Sequence, residues 1–212
     1  PLDLLSDERH LYSIMPYANG GELFELLDMN EKFTESESRY WMNQILNGLE
    51  SLQRAGICHR DLSLENLLVH NDSGALVIDM GMCLRIPYNS DPSRGLITPQ
   101  GTCGKWIYMS PEIYKNQAFD GHAVDLWAAG VILFLLLTGF PPWDRAVGTD
   151  ERFKYMSAGY LVQMLTEWDV GLSSDAMDLL QRMLFLSPTD RLSLNQVRAH
   201  PWMQQPSQPP LR

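Results

Sequence analysis

Fifteen consecutive residues, Leu126 to Phe140, carry no charge. A helix needs about 20 apolar residues to cross a bilayer, so this run is too short and reads as a helix buried in a core. A helix that is apolar on every side has to be wrapped by other elements. The helical pattern starts near Ala123, and Gly139, Pro141 and Pro142 break it. With 212 residues, 45% of them hydrophobic, the chain has enough apolar material for such a core in one domain.

The formal net charge is -10, which speaks against a surface that coats nucleic acid. It permits basic peptide partners, although most acidic residues of such a chain are simply solvated. Cys58, Cys83 and Cys103 show no metal-ligand spacing, and three cysteines cannot all pair internally. A reducing, cytoplasmic setting fits them best, with the nucleus also open. Pro1 to Leu5 shows no secretion-signal pattern, and no membrane insertion is expected.

Residues 10 to 17 read as a strand that ends at Asn19-Gly20-Gly21. A short helix is expected from about Glu22 to Asp28. A long one should follow from Thr34, where Thr34 and Glu37 have capping-box spacing. Its apolar positions Trp41, Ile45, Leu49 and Leu52 fall on one face, and Gly56 closes it. Val69 and Leu76-Val77-Ile78 read as small strands around a turn at Asn71-Asp72-Ser73-Gly74. Two more helices are expected near Ser174 to Leu184 and Ser193 to Ala199. The tail after Trp202 is rich in Gln and Pro.

The loop-rich centre carries the chemistry. His59-Arg60-Asp61-Leu62-Ser63-Leu64-Glu65-Asn66 fits the pattern H-R-D-L-x-x-x-N. Five positions are specified, so a chance match in a chain of this length is about one in ten thousand. Asp79-Met80-Gly81 begins 13 residues past Asn66, and Ser110-Pro111-Glu112 begins 31 past Asp79. Taken singly, Asp61 reads best as a turn aspartate that caps a backbone N–H.

Together these motifs resemble the protein kinase superfamily over nearly the whole chain, from about residue 10 to Trp202. The resemblance implies a mainly α fold: the C-terminal, larger lobe of a kinase domain, with a few short strands at the catalytic and metal-binding loops. It would occupy 1–203, followed by a Pro/Gln-rich tail at 204–212. It also implies transfer of the γ-phosphoryl group of ATP to hydroxyls of protein substrates. Asp61 would orient the hydroxyl and accept its proton. Asn66 and Asp79 would be the protein ligands of Mg²⁺, a hard cation that often takes only one or two. Arg60 would pair with a phosphorylated loop, with Thr98 and Thr102 as candidate acceptors. Cys103, in the same loop, reads as an inert small residue. Asp125 would accept bonds from the backbone near His59-Arg60, and Glu112 would tie to Arg191.

By the same resemblance, Leu11 to Phe24 corresponds to the hinge and the helix after it. Met15 would stand beside the adenine pocket. Backbone groups of Pro16 and Ala18 would bond adenine, Pro16 through its carbonyl alone. Glu22 would reach the ribose, and Leu68 would floor the pocket. Bland readings exist beside these: core packing for Met15 and Leu68, and a helix first turn for Glu22. Glu65-Asn66 resembles the serine/threonine type. Gly101-Thr102-Cys103-Gly104 and His200-Pro201-Trp202 resemble the calmodulin- and cyclic-nucleotide-dependent groups.

The chain departs from the pattern in several places. Met80 stands for the usual Phe, and Ser110 for Ala. Ser63 stands where the serine/threonine type has Lys, and Lys105 where it has Thr in the substrate-binding loop. Either the two exchange roles, with Lys105 reaching Asp61 beside the transferring phosphate, or Ser63 is a tolerated loss and Lys105 a surface lysine. No G-x-G-x-x-G and no lysine precede the hinge segment. The chain therefore reads as a fragment whose small lobe is a missing partner and which transfers little phosphate alone. The alternative is a pseudokinase, or a lobe that acts as a scaffold.

Overall fold

The computed structural model describes residues 2–70, 74–90 and 93–210. Two short strands, β1 (Asp3–Ser6) and β2 (Leu11–Ile14), form an antiparallel ribbon with Asp3 opposite Ile14 and Ser6 opposite Leu11. Strand β2 is shorter than the expected 10–17. Pro16 lacks the N–H that would extend the ladder, and the ladder pairs end at Ile14.

Helices α1 (Leu23–Asn30) and α2 (Glu35–Arg54) follow. The capping box of α2 forms as its spacing predicts. The Thr34 side chain accepts from Glu37 N, and the Glu37 carboxylate accepts from Thr34 N at 2.9 Å. Trp41, Ile45 and Leu49 are buried on one face, and Gly56 closes the helix with φ of 66°. The variant Thr34→Ala should lose about 1 kcal/mol of stability, since an orphan helix N–H goes unpaired. A urea midpoint that does not move would contradict this.

Two short ribbons then shape the centre. Strand β3 (Ile57–Cys58) pairs with β6 (Leu84–Arg85), and β4 (Leu67–His70) pairs with β5 (Gly74–Val77), both antiparallel. Of the expected turn at Asn71-Asp72-Ser73-Gly74, the first three residues lie outside the described ones. After α3 (Pro111–Tyr114) comes α4 (Gly121–Thr138), buried along its whole length. By length and composition α4 could cross a membrane, but here it is the core helix. It starts two residues earlier than the apolar pattern suggests. Asp120 caps it, accepting from His122 N at 2.9 Å and Ala123 N at 3.3 Å.

Helices α5 (Glu151–Tyr155) and α6 (Leu161–Glu167) join through a kink at Gly159, whose φ is 91°. Helices α7 (Ser174–Met183) and α8 (Leu194–Ala199) close the bundle. The fold is mainly α, and the described strands form separate two-stranded ribbons. Trp127 of α4 packs against Trp143 at 5.4 Å between ring centroids, and Trp143 meets Phe153 at 5.3 Å.

Two features of this packing place the central loop. Gly121 opens α4 where a side chain would strike Cys58 Sγ at 2.5 Å, so α4 sits directly on β3. A carboxylate one turn into α4, Asp125, then faces the loop that leaves β3. At the opposite edge, Leu4, Leu5, Leu11, Tyr12, Ile14 and Met15 are all at least two-fifths exposed. A lone two-stranded ribbon is marginal in water, and an apolar face of this kind marks a contact surface.

Candidate active site

The loop from His59 to Asn66 is suspended from buried groups at both ends. Asp125, 3% exposed, accepts from His59 N at 2.7 Å and from Arg60 N at 2.8 Å. Burial pushes its carboxyl up to about 6, while those N–H bonds pull it down. Two backbone donors thus answer this buried carboxyl. The two bonds hold Arg60 at a φ of 71°, a left-handed conformation that costs energy in a non-glycine residue. His59 is fully buried. Its Nε2 lies 2.8 Å from Ile78 O, and its Nδ1 lies 3.2 Å from Asp61 N. Since Asp61 N can only donate, Nδ1 accepts and Nε2 carries the proton.

Asp61 is therefore presented at a fixed point, half-buried. The Asn66 amide nitrogen donates to Asp61 O at 2.7 Å and to Asp61 Oδ2 at 3.2 Å. This fixes the amide orientation and turns the Asn66 side-chain oxygen away from Asp61. Ile78 N donates to Asn66 O at 3.0 Å, which brings Asp79 beside Asn66. Asp79 is exposed and left-handed, with φ of 61°, and its Oδ1 accepts from Gly81 N at 3.1 Å. Asn66 and Asp79 together offer an amide and a carboxylate oxygen. That pair of hard donors suits Mg²⁺, which keeps several waters and is rarely caged by protein alone.

The hinge segment reaches this centre through β4. Gly20 N donates to Val69 O at 2.8 Å, Val69 N donates to Gly21 O at 2.9 Å, and Glu22 bridges Leu68. The structure thus brings Glu22 and Leu68 together next to Asn66. It leaves Met15 57% exposed and Pro16 exposed, with Ala18 only half-buried, on the same open edge as the β1–β2 ribbon.

Lys105 arrives from the other side. Its Nζ donates to Ser63 Oγ at 2.9 Å and pairs with Glu65 Oε1 at 3.2 Å. Among the described residues, no ion pair joins it to Asp61. The preceding residue, Gly104, has φ of 87° and lies so close that an added Cβ would sit 3.1 Å from Asp61 Oδ1. Sequence reasoning missed the partnership with Glu65. Glu65 directly precedes Asn66, and nothing local in the sequence links it to Lys105. A groove of about 550 Å³, lined by Phe24, Leu27, Glu65, Lys105 and Leu135, opens from this point.

The three thiols lie close to this centre. Burial, with the charge of Asp125 next, pushes Cys58 up to about 12 and Cys83 up to about 11, and burial also raises Cys103. All three stay protonated at neutral pH, and the thiolate is the reactive form. Iodoacetamide at pH 7.5 should leave Cys58 and Cys83 of the native protein unmodified while free cysteine reacts fully. Rapid labelling of Cys58 in the folded protein, read by mass spectrometry, would contradict this.

A left-handed aspartate, a histidine-pinned loop and an asparagine bonded to a second aspartate gather two carboxylates and an amide in one loop system. The model of the protein kinase domain matches residues 2–203, and the chain belongs to that family. It is 32% identical over 212 residues to CBL-interacting protein kinase 31 of Oryza sativa subsp. japonica, covering 99% of this chain and 44% of the relative. It is 29% identical over 203 residues to CBL-interacting serine/threonine-protein kinase 16 of Arabidopsis thaliana, covering 94% and 42%. For CBL-interacting protein kinase 21 of the same rice the figures are 32% over 203 residues, 96% and 37%. The chain spans less than half the length of these relatives.

Proposed function

We propose that this chain is the catalytic, larger lobe of a serine/threonine protein kinase. In this reading 1–203 form the lobe and 204–212 a tail. The observation that carries it is the Asp61–Asn66 bond network with Asp79 next to it. Asp61 holds the hydroxyl of a protein substrate and takes its proton as the oxygen attacks the γ-phosphorus of ATP. The bond from that phosphorus to the ADP oxygen breaks, leaving ADP and a phosphorylated side chain. Bound Mg²⁺, held by Asn66 and Asp79, would neutralise phosphate charge.

Glu22 and Leu68 serve the ribose and base of ATP, with Met15 and the backbones of Pro16 and Ala18 completing the adenine side. Their exposure is consistent with a cover supplied by a smaller lobe, and the apolar β1–β2 edge is the surface we assign to it. Glu65-Asn66 supports serine and threonine over tyrosine. We place the protein in the cytoplasm, acting on protein substrates rather than nucleic acid.

The test is incubation of the complete protein with γ-labelled ATP, Mg²⁺ and a degenerate peptide mixture, followed by phosphoamino-acid analysis. Label on serine or threonine is the expected result. Label on tyrosine overturns the hydroxyl specificity. No transfer under any condition, with the protein folded, favours a scaffold without catalysis.

A further inference from the structure

The proposed centre carries three carboxylates within one loop system, Asp61, Glu65 and Asp79, and would receive a polyanionic nucleotide. Transfer of a phosphoryl group needs positive charge at the point where negative charge develops. The cation adjacent in sequence, Arg60, is turned elsewhere. Its Nη1 donates to Met82 O at 3.2 Å and its guanidinium lies over Phe119, 5.6 Å from the ring centre. Lys105 is differently placed. Its ammonium is tethered to Ser63 Oγ, two residues past Asp61, and Ser63 is fully buried and so fixed in position. Gly104 presses against the Asp61 carboxylate, so the segment bearing Lys105 runs directly over the proton acceptor.

We infer that Lys105 is the cation of the transfer step, held in reserve by Ser63 and Glu65 and drawn to the transferring phosphate when the nucleotide is bound. This rests on the kinase reading above and assigns a catalytic residue to it. The pair with Glu65 is part-exposed, at 40% and 31% for the two side chains. An ion pair so exposed is weak and does not trap the ammonium. A lysine stem is long and flexible enough to exchange one anion for another while its root stays fixed. Ser63 acts as a positioning residue, because its hydroxyl orients the ammonium and touches no reactant.

The test uses the complete protein at saturating Mg²⁺ and peptide. Lys105→Met, uncharged and of similar length, should lower kcat by about 30-fold, as loss of a charge-stabilising group does. KM for ATP and the melting temperature should stay nearly unchanged. Ser63→Ala should lower kcat by only about threefold to fivefold. The double variant Ser63→Lys with Lys105→Thr should regain most of the loss, which a merely structural lysine would not allow. Lys154→Met, at an exposed lysine of α5 paired only weakly with Glu151, should match the parent. Two results overturn the inference: Lys105→Met retaining over half of the parent kcat, or a loss that tracks a fall in melting temperature with no rescue by the double variant. Asp61→Asn, assayed alongside, separates the failures. If it is inactive while Lys105→Met is not, only the assignment of Lys105 falls. If it is fully active, the kinase reading itself falls.

Discussion

Asp61→Asn should lower the turnover number of the complete protein by about 10²- to 10⁴-fold, the range expected when a positioned proton acceptor is lost. The substitution keeps the side chain's shape and its contact with Asn66, which bonds the Asp61 main-chain oxygen at 2.7 Å as well as the carboxylate. The loop hangs from Asp125 and His59 and not from the Asp61 side chain. The fold should therefore survive, and ATP affinity should change by less than about threefold, since the proposed role of Asp61 is toward the hydroxyl and not the nucleotide. Single-turnover rates with a serine peptide read the effect directly. A variant with near-parent turnover would remove Asp61 from the chemistry.

The second large effect is on stability. Arg191 is tied to Glu112 by two bonds, of 2.6 and 2.7 Å, and their side chains are 1% and 5% exposed. The same guanidinium donates to Phe185 O, Leu186 O and Ala123 O. It thus joins α3 to the first turn of α4 and to the residues that follow α7. Arg191→Ala leaves a buried carboxylate without its partner, and breaking such a pair costs about 3–5 kcal/mol. For a chain of this size that is roughly 10 °C in melting temperature. Removing both partners, as Glu112→Leu with Arg191→Met, should cost less than the sum of the single losses, because no uncompensated charge stays behind. A melting temperature within about 2 °C of the parent for Arg191→Ala would show that the tie contributes little.

Much of this architecture is legible in the residues, for physical reasons that differ by element. Helix α2 announces itself through a capping box and a one-faced apolar stripe, both local. Helix α4 is equally plain, although its first turn, Gly121-His122, is polar in pattern and is set by the Asp120 cap. The ribbon partner β1 was not anticipated, because Asp3-Leu4-Leu5-Ser6 shows no alternation and exists only through pairing with β2. Helices α5 and α6 were not anticipated either, since the break at Gly159 interrupts the periodicity. In the site, Asp61, Asn66 and Asp79 could be picked out because their spacing is a motif. The bond from Lys105 to Ser63 joins residues 42 positions apart; paired departures from that motif singled out both residues, but the expected reach was to Asp61, and the ammonium meets Ser63 and Glu65 instead. The competing pair with Glu65 had no counterpart in any local pattern.

The most direct test of the central claim, a metal–nucleotide centre formed by Asn66 and Asp79 next to Asp61, is a calorimetric titration of ATP into the complete protein. It is run with Mg²⁺ and again with EDTA, for the parent and for Asp79→Asn. The account predicts binding that depends on Mg²⁺ in the parent and is weaker by at least about tenfold in Asp79→Asn, where the hard cation loses its charged ligand. Equal affinity in all four titrations, or no binding by the folded parent, would contradict it.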